Sequence, residues 1–262
     1  MLEEHAESFG AWDHFSTSKL VRICDQFNEC QSLRDLAERQ DCQTLSDIGC
    51  ATGSYYRYIR NIWPNVQYKG FDISEAAINR VRNRHPEGDF QVSNGRLSSV
   101  EHAKSDVVFC RDVVHHQEDP KAFLEDLYQI TGKYLVLRIR TREEGETVFD
   151  YTQSCQYTYG RWVPYIVFQT GELTDLFRSF DPAPVKIDVI RHPLILGGQL
   201  NRYLPKELYY PETGTAESAI VIEKGDGQTG SEMAVSNFPR PETMRRGKLA
   251  PLARKLANRL GL

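Results

Sequence analysis

The chain has no apolar run approaching the length of a membrane span, and its start, MLEEHAESFGAWDHF, has no basic segment followed by an apolar core. A cytoplasmic location is the resulting expectation. It also lacks an excess of positive charge. Lys and Arg number 32 against 36 Asp and Glu, a net charge of -4, whereas a dedicated nucleic-acid binder is more often basic. Nucleic acid is therefore not the expected partner. There is no CxxC pair among the six cysteines, which are scattered at 24, 30, 42, 50, 110 and 155, several inside apolar segments where a thiol acts as a small hydrophobe. Neither a metal site nor a disulfide framework is expected, and no internal repeat is visible.

What is present suits one α/β domain with decoration, since 262 residues at 40% hydrophobic content can build one sizeable core. Helical spacing marks 17–28 and 31–40 as an N-terminal cap, assigned to residues 1–42. From residue 43 short β-rich runs alternate with helical ones, the pattern of a parallel sheet with crossover helices. Strands are expected at 44–48, 67–71, 89–92, 106–110 and 134–139, with helices near 53–62, 75–84 and 120–131. Asp119 and Pro120 supply a cap and a suitable first residue for the last of these.

Further on, 170–180 reads as a helix and 185–192 and 218–224 as strands, closing a main domain over 43–224 with insertions at 141–169 and 193–217. The polar stretch 225–243 reads as a linker and 244–262 as a basic amphipathic helical tail. The expected fold is thus a Rossmann-like, doubly wound α/β sheet, mostly parallel with an antiparallel last strand.

The segment LSDIGCATGSYYRYI (45–59) places Gly49, Ala51 and Gly53 where a strand turns into a helix, the crevice at which such sheets bind ligands. Asp72, in GFDIS, lies about 20 residues on, the spacing at which an acid reaches ribose hydroxyls. Asp47 immediately precedes the turn. A carboxylate is unfavourable beside a pyrophosphate and favourable beside an ammonium, so a cofactor with a cationic end is expected. The alternative is that the glycines only shape a tight turn and Asp72 caps the next helix.

Taken in order, LSDIGCATGSY, YKGFDIS, FQVSNG and SDVVFCRDVVHHQEDP resemble the motifs of class I S-adenosylmethionine-dependent methyltransferases over residues 43–140. The resemblance implies S-adenosylmethionine as cofactor and S-adenosylhomocysteine as product. It places the methionine end at Asp47, Gly49, Ala51 and Gly53, the ribose at Asp72 with Ile73, and the adenine at Asn94 with Gly95. Tyr55 and Arg111 join this cofactor set, with Tyr56 beside Tyr55 as a further shield. Ala51 replaces a usual glycine, which is tolerated if its φ is negative. WVPYIVFQTGELTDLF more distantly resembles methyltransferases of bacterial polysaccharide and natural-product clusters.

Asp112, His115 and His116 follow the fourth strand and are the catalytic candidates, histidine being suited to take a hydroxyl proton. An HH pair before such a helix also occurs in this superfamily without proton transfer, so packing is the competing reading. The [DNS]PP[YFW] loop of amino-methylating nucleic-acid enzymes is replaced by RDVVHH, and the Asp-Asn pair of metal-dependent catechol methylation is absent after the fifth strand.

Tyr157, Tyr159, Arg161, Trp162 and Tyr165 form either an acceptor wall or an aromatic mini-core, an ambiguity shared by Arg202, Tyr203, Tyr209 and Tyr210. The tail, with Leu252, Leu256 and Leu260 along one face, suits a weak membrane-surface contact, a dimer contact or docking on its own domain. The expected activity is methyl transfer to a small-molecule acceptor, most readily an oxygen of a sugar or natural-product intermediate. A nicotinamide-dependent oxidoreductase and a non-catalytic binding subunit are the alternatives.

Overall fold

The computed structural model describes residues 14–95, 97, 103–158, 160–197, 199–209, 214–225 and 231–238. The tail at 244–262, Tyr159 and Tyr210 lie outside the described residues.

Two helices, α1 (Thr17–Cys24) and α2 (Asn28–Arg39), precede the sheet. Ser16 caps α1 by accepting from the Lys19 amide, and Gln40 ends α2 in the left-handed region at φ 58°. The alternating part follows as β1 (Thr44–Ile48), α3 (Ser54–Ile62), β2 (Gln67–Asp72), α4 (Glu75–Arg84), β3 (Asp89–Val92), β4 (Ser105–Arg111), α5 (Pro120–Ile130) and β5 (Thr131–Arg142). Asp119 accepts from the Ala122 amide at 3.0 Å, so α5 begins as its Asp-Pro pair dictates.

Then come β6 (Cys155–Thr158), β7 (Arg161–Pro164), β8 (Phe168–Gln169), α6 (Thr170–Arg178), β9 (Pro184–Pro193), β10 (Arg202–Tyr203), β11 (Ala216–Lys224) and β12 (Glu232–Asn237). The main sheet runs β12-β9-β11-β5-β4-β1-β2-β3, with β8 pairing on β5. β1 to β5 are parallel, whereas β11 is antiparallel to both β5 and β9. The order turns outward from β1 and β4 in opposite directions, which opens a crevice at the carboxyl ends of those strands.

Both faces of the sheet are covered. Val107 and Phe109 of β4 face α1, α2 and α3 with Leu33, Tyr58 and Ile59, while Val108 and Cys110 face α5 and α6 with Leu124, Leu127 and Phe177. This double burial is why the strand reads as a continuous apolar run. The insertions fold together: β6, β7 and β10 form a small antiparallel sheet, seated on an apolar cluster of Tyr165, Val167, Leu196, Leu204 and Leu208.

One segment departs from expectation. Within 225–243, read as a linker, β12 pairs in parallel with β9 at the sheet's edge. All six of its residues are exposed, so the one-sided burial that marks a strand in sequence is missing.

Phe109 is fully buried between β1, β5 and α3. Phe109→Ala is expected to lower the unfolding free energy by about 3–5 kcal/mol in urea titration.

Candidate functional site

The glycine turn is tight because side chains crowd it. A Cβ on Gly49 would lie 2.3 Å from Val113 Cγ2, and one on Gly53 2.4 Å from Val81 Cγ2, with φ at +83° and +80°. Ala51 is also left-handed, at φ 49°. This corrects the expectation of a negative φ: the loop keeps the geometry of its glycine-rich counterpart, and the methyl group carries the conformational cost.

The turn's amides are already used. Gly49 N and Cys50 N donate to the Phe71 carbonyl at 2.7 and 3.0 Å, and Gly53 N to the Cys50 carbonyl at 3.0 Å. Ala51 N donates to Asp72 Oδ2 at 2.9 Å. Phosphate cradles work by presenting free amides, and these four are committed within the protein.

Two carboxylates border it. Asp47 is buried and takes the Tyr68 hydroxyl on Oδ2 at 2.6 Å. Burial pushes its pKa up to about 7, against the Tyr68 hydrogen bond, and Asp72 adds to the rise. Asp72 sits at the end of β2, its Oδ1 accepting from Ser74 N at 2.8 Å. Burial raises its pKa too, while the Ser74 and Ala51 amides oppose the rise. Beside it Ile73 is 69% exposed. Gly95, at φ +85°, has open space where a side chain would begin, and Asn94 lies next to it after β3.

The cofactor candidates do not all gather there. Arg111 is held by Glu29 Oε1 at 2.7 Å and Asp112 Oδ2 at 2.8 Å and lies over the rings of Phe27 and Tyr55. It is committed to an internal ion network. Tyr55 packs on Phe109 in the same layer. Tyr56 instead turns outward to Glu87, packed among Tyr68, His85 and Phe90, where it shields no ligand at the turn.

Asp112 is the centre of that network. Its Oδ2 meets Arg111 and also Arg138 at 2.9 Å, and its Oδ1 meets Arg140 at 2.8 Å. Burial alone would raise its pKa, but the three guanidinium groups hold it well below the carboxylate range. This revises its place among the proton acceptors: a carboxylate so stabilised is a poor base and instead sets the positions of three arginines. Arg138 and Arg140 also bind Glu217 of β11, the latter at 3.0 Å. The register Glu217↔Arg140 puts these residues side by side.

The histidines differ. His115 is buried with Nδ1 lacking a partner; burial, His116 and Arg140 lower its pKa well below the ordinary value. His116 Nδ1 lies 2.7 Å from the Pro164 carbonyl, which assigns the proton to Nδ1 and leaves the lone pair on Nε2. Burial also lowers its pKa, against that bond, so the ring is neutral at pH 7.

Of the aromatic candidates among the described residues, Tyr165 joins this cluster. Its ring lies 5.2 Å from His115 and 6.0 Å from His116, and its hydroxyl accepts from Arg140 Nε at 2.8 Å. Tyr157 and Trp162 are about half exposed and stack on each other across the β6–β7 hairpin, whose turn carries the exposed Arg161. Sequence reasoning passed over Glu29, Arg138, Arg140 and Glu217. The signal was the alternation in RIRTR, which puts Arg138, Arg140 and Arg142 on one face of β5.

A doubly wound sheet with a ligand crevice between β1, β2 and β4 is the class I nucleoside-binding architecture. Residues 46–132 match a family model described as a methyltransferase domain. The fold is similar to that of the O-methyltransferase from the trans-AT PKS multienzyme of Brevibacillus brevis in complex with S-adenosyl-L-homocysteine, at 13% identity, covering 85% of this chain and 76% of that one with a TM-score of 0.55. It is also similar to magnesium protoporphyrin IX methyltransferase from Synechocystis PCC 6803 with bound SAH, at 13% identity, 85% and 94% coverage and a TM-score of 0.51. A (4+2)-cyclase shares the fold as well, at 15% identity, 74% and 81% coverage and a TM-score of 0.51. The chain thus carries a methyltransferase-domain match over residues 46–132, within a fold that these solved structures share.

The turn makes a paired test. Gly49→Ala is expected to destabilise by more than about 1 kcal/mol through its clash and positive φ, whereas Ala51→Gly is neutral or stabilises by up to about 1 kcal/mol. Thermal unfolding of both variants separates the two positions.

Proposed function

We propose that the chain transfers the methyl group of S-adenosylmethionine to a hydroxyl of a small-molecule acceptor, a sugar or natural-product intermediate fitting the reading best. The observation that carries it is the pairing of a turn whose amides at positions 49, 50, 51 and 53 are already bonded with two bordering carboxylates. That arrangement suits a ligand with an ammonium and a ribose better than one with a pyrophosphate, which supports this reading over an oxidoreductase. Asp47 would take the ammonium, since Tyr68 occupies only its Oδ2. Asp72 would take ribose hydroxyls, and Ile73 with the open space at Gly95 would border the adenine.

The bound sulfonium supplies an already activated methyl group, so the chain's own task is alignment and exclusion of water. Holding two reactants in line is worth about 7–11 kcal/mol. His116 is the group suited to accept the hydroxyl proton: Pro164 fixes its ring through Nδ1, and burial keeps Nε2 unprotonated. A shared fold does not fix the chemistry, so the reading rests on these residues.

Calorimetry with S-adenosylhomocysteine tests the donor site. Binding is expected, weakened at least about tenfold by Asp72→Ala; no binding by folded protein would sink the reading. Only ionised Asp47 attracts an ammonium, and its pKa near 7 means protonation competes below neutrality. Affinity should therefore rise by about eightfold from pH 6 to pH 7.5, and Asp47→Asn should flatten that rise.

With donor and acceptor saturating, His116→Ala should lower kcat by about 10²–10⁴-fold while leaving S-adenosylhomocysteine affinity unchanged. In the unsubstituted protein kcat should be flat above pH 7 and fall only below the ordinary histidine range, because the base must be neutral and its pKa is lowered. A His116→Ala enzyme with full kcat would show that alignment alone suffices.

A further inference from the structure

Four guanidinium groups meet around Tyr165 and Asp112, and three carboxylates answer them. Glu29 is shared by Arg111 and Arg138, Asp112 by Arg111, Arg138 and Arg140, and Glu217 by Arg138 and Arg140. Arg202, brought in from the 193–217 insertion by β10, makes no ion pair among the described residues. Its Nε donates to Gln156 Oε1 at 3.0 Å and its Nη1 to the Leu196 carbonyl at 2.7 Å, while its guanidinium lies 4.0 Å from the Tyr165 ring centroid. Both acceptors are neutral. Nη2 keeps its two N–H groups for something else.

Arg202 is half-buried, as are Gln156, His116 and Asp112; they line the partly open side of the cluster that Tyr165 closes from beneath. A cation placed there without a counter-charge is costly. Burial, with the neighbouring Arg140, lowers the Arg202 pKa against the opposing effects of Tyr165 and Asp112. The insertion thus delivers one positive charge, geometrically fixed by two hydrogen bonds and a ring, to within reach of the histidine pair.

We propose that the acceptor carries a carboxylate, seated on Arg202 Nη2 beside Gln156 and Tyr165, so that Arg202 is the specificity-determining residue for a monoanionic substrate. The proposal deepens the methyltransferase reading and rests on it for the identity of the site as the acceptor side. Among the described residues one guanidinium is in excess over the carboxylates of this cluster, which matches one negative charge; a phosphate brings about −1.5 to −2 at neutral pH and over-compensates. Charge-assisted hydrogen bonds to a carboxylate would also satisfy the unused donors.

The test uses the full chain and three probes of one shape, 4-hydroxybenzoate, its neutral amide 4-hydroxybenzamide and 4-hydroxyphenyl phosphate, titrated calorimetrically with and without saturating S-adenosylhomocysteine. The benzoate should bind at least tenfold more tightly than the amide and more tightly than the phosphate. Arg202→Met, which keeps the apolar stem over Tyr165, should reduce the benzoate preference to under twofold, and Arg202→Lys should retain part of it. S-Adenosylhomocysteine affinity should be the same in all three proteins, which shows that the variants fold.

Equal binding of benzoate and amide, absence of binding by either, or a preference unchanged in Arg202→Met overturns the proposal. Stronger binding of the phosphate overturns the carboxylate assignment. If S-adenosylhomocysteine fails to bind while the Arg202-dependent benzoate preference holds, the methyltransferase reading falls and the anion site stands.

Discussion

Everything on the carboxyl side of the sheet is arranged around the Asp112 carboxylate. It ties Arg111 of its own strand to Arg138 and Arg140 of the next, and through their second partners to Glu29 of α2 and Glu217 of β11. A buried ion network is not cheap stability, because each charge gives up hydration, but removal of one member strands the others at about 3–5 kcal/mol. What the network fixes is position: four chain segments distant in sequence meet at one side chain. Asp112 adopts φ 59° to do so, a conformation that non-glycine residues take when the surroundings demand it.

The two halves of the site follow different logic. Around the glycine turn the amides at 49, 50, 51 and 53 are bonded within the protein and two carboxylates, Asp47 and Asp72, border them. Around Asp112 and Tyr165 arginines dominate, and the local charge reverses. The histidine pair lies beside Tyr165, held neutral by burial and by surrounding positive charge. A neutral imidazole in a cationic setting is a group that accepts a proton only transiently, which is the property required of a base in a single transfer.

The sheet was legible because β1 to β5 obey simple rules: apolar strands buried on both faces, caps such as Asp119 with Pro120, and helices with one apolar stripe. The glycine turn and its bordering acids were legible for a related reason, since Asp47, Gly49, Gly53 and Asp72 are close in sequence and their spacing mirrors the turn. The arginine cluster was not. Its members come from α2, β4, β5, β10 and β11, and the pairing of Glu217 with Arg140 exists only through strand register. Likewise the sign of φ at Ala51 follows from the loop's hydrogen bonds, not from its residue type, and β12 carries no alternation because neither of its faces is buried.

The attachment of α2 has a consequence for traffic through the site. Asn28, at the start of that helix, donates through its amide to the carbonyls of Ile190 in β9 and Glu217 in β11, at 2.6 and 3.0 Å. The adjacent Glu29 is fully buried on Arg111 and Arg138. Swinging α2 aside would break both attachments and expose unpaired charge. This helix therefore behaves as a fixed wall, and any exchange of ligands would have to proceed without it, where the exposed Ile73 and the open space at Gly95 lie.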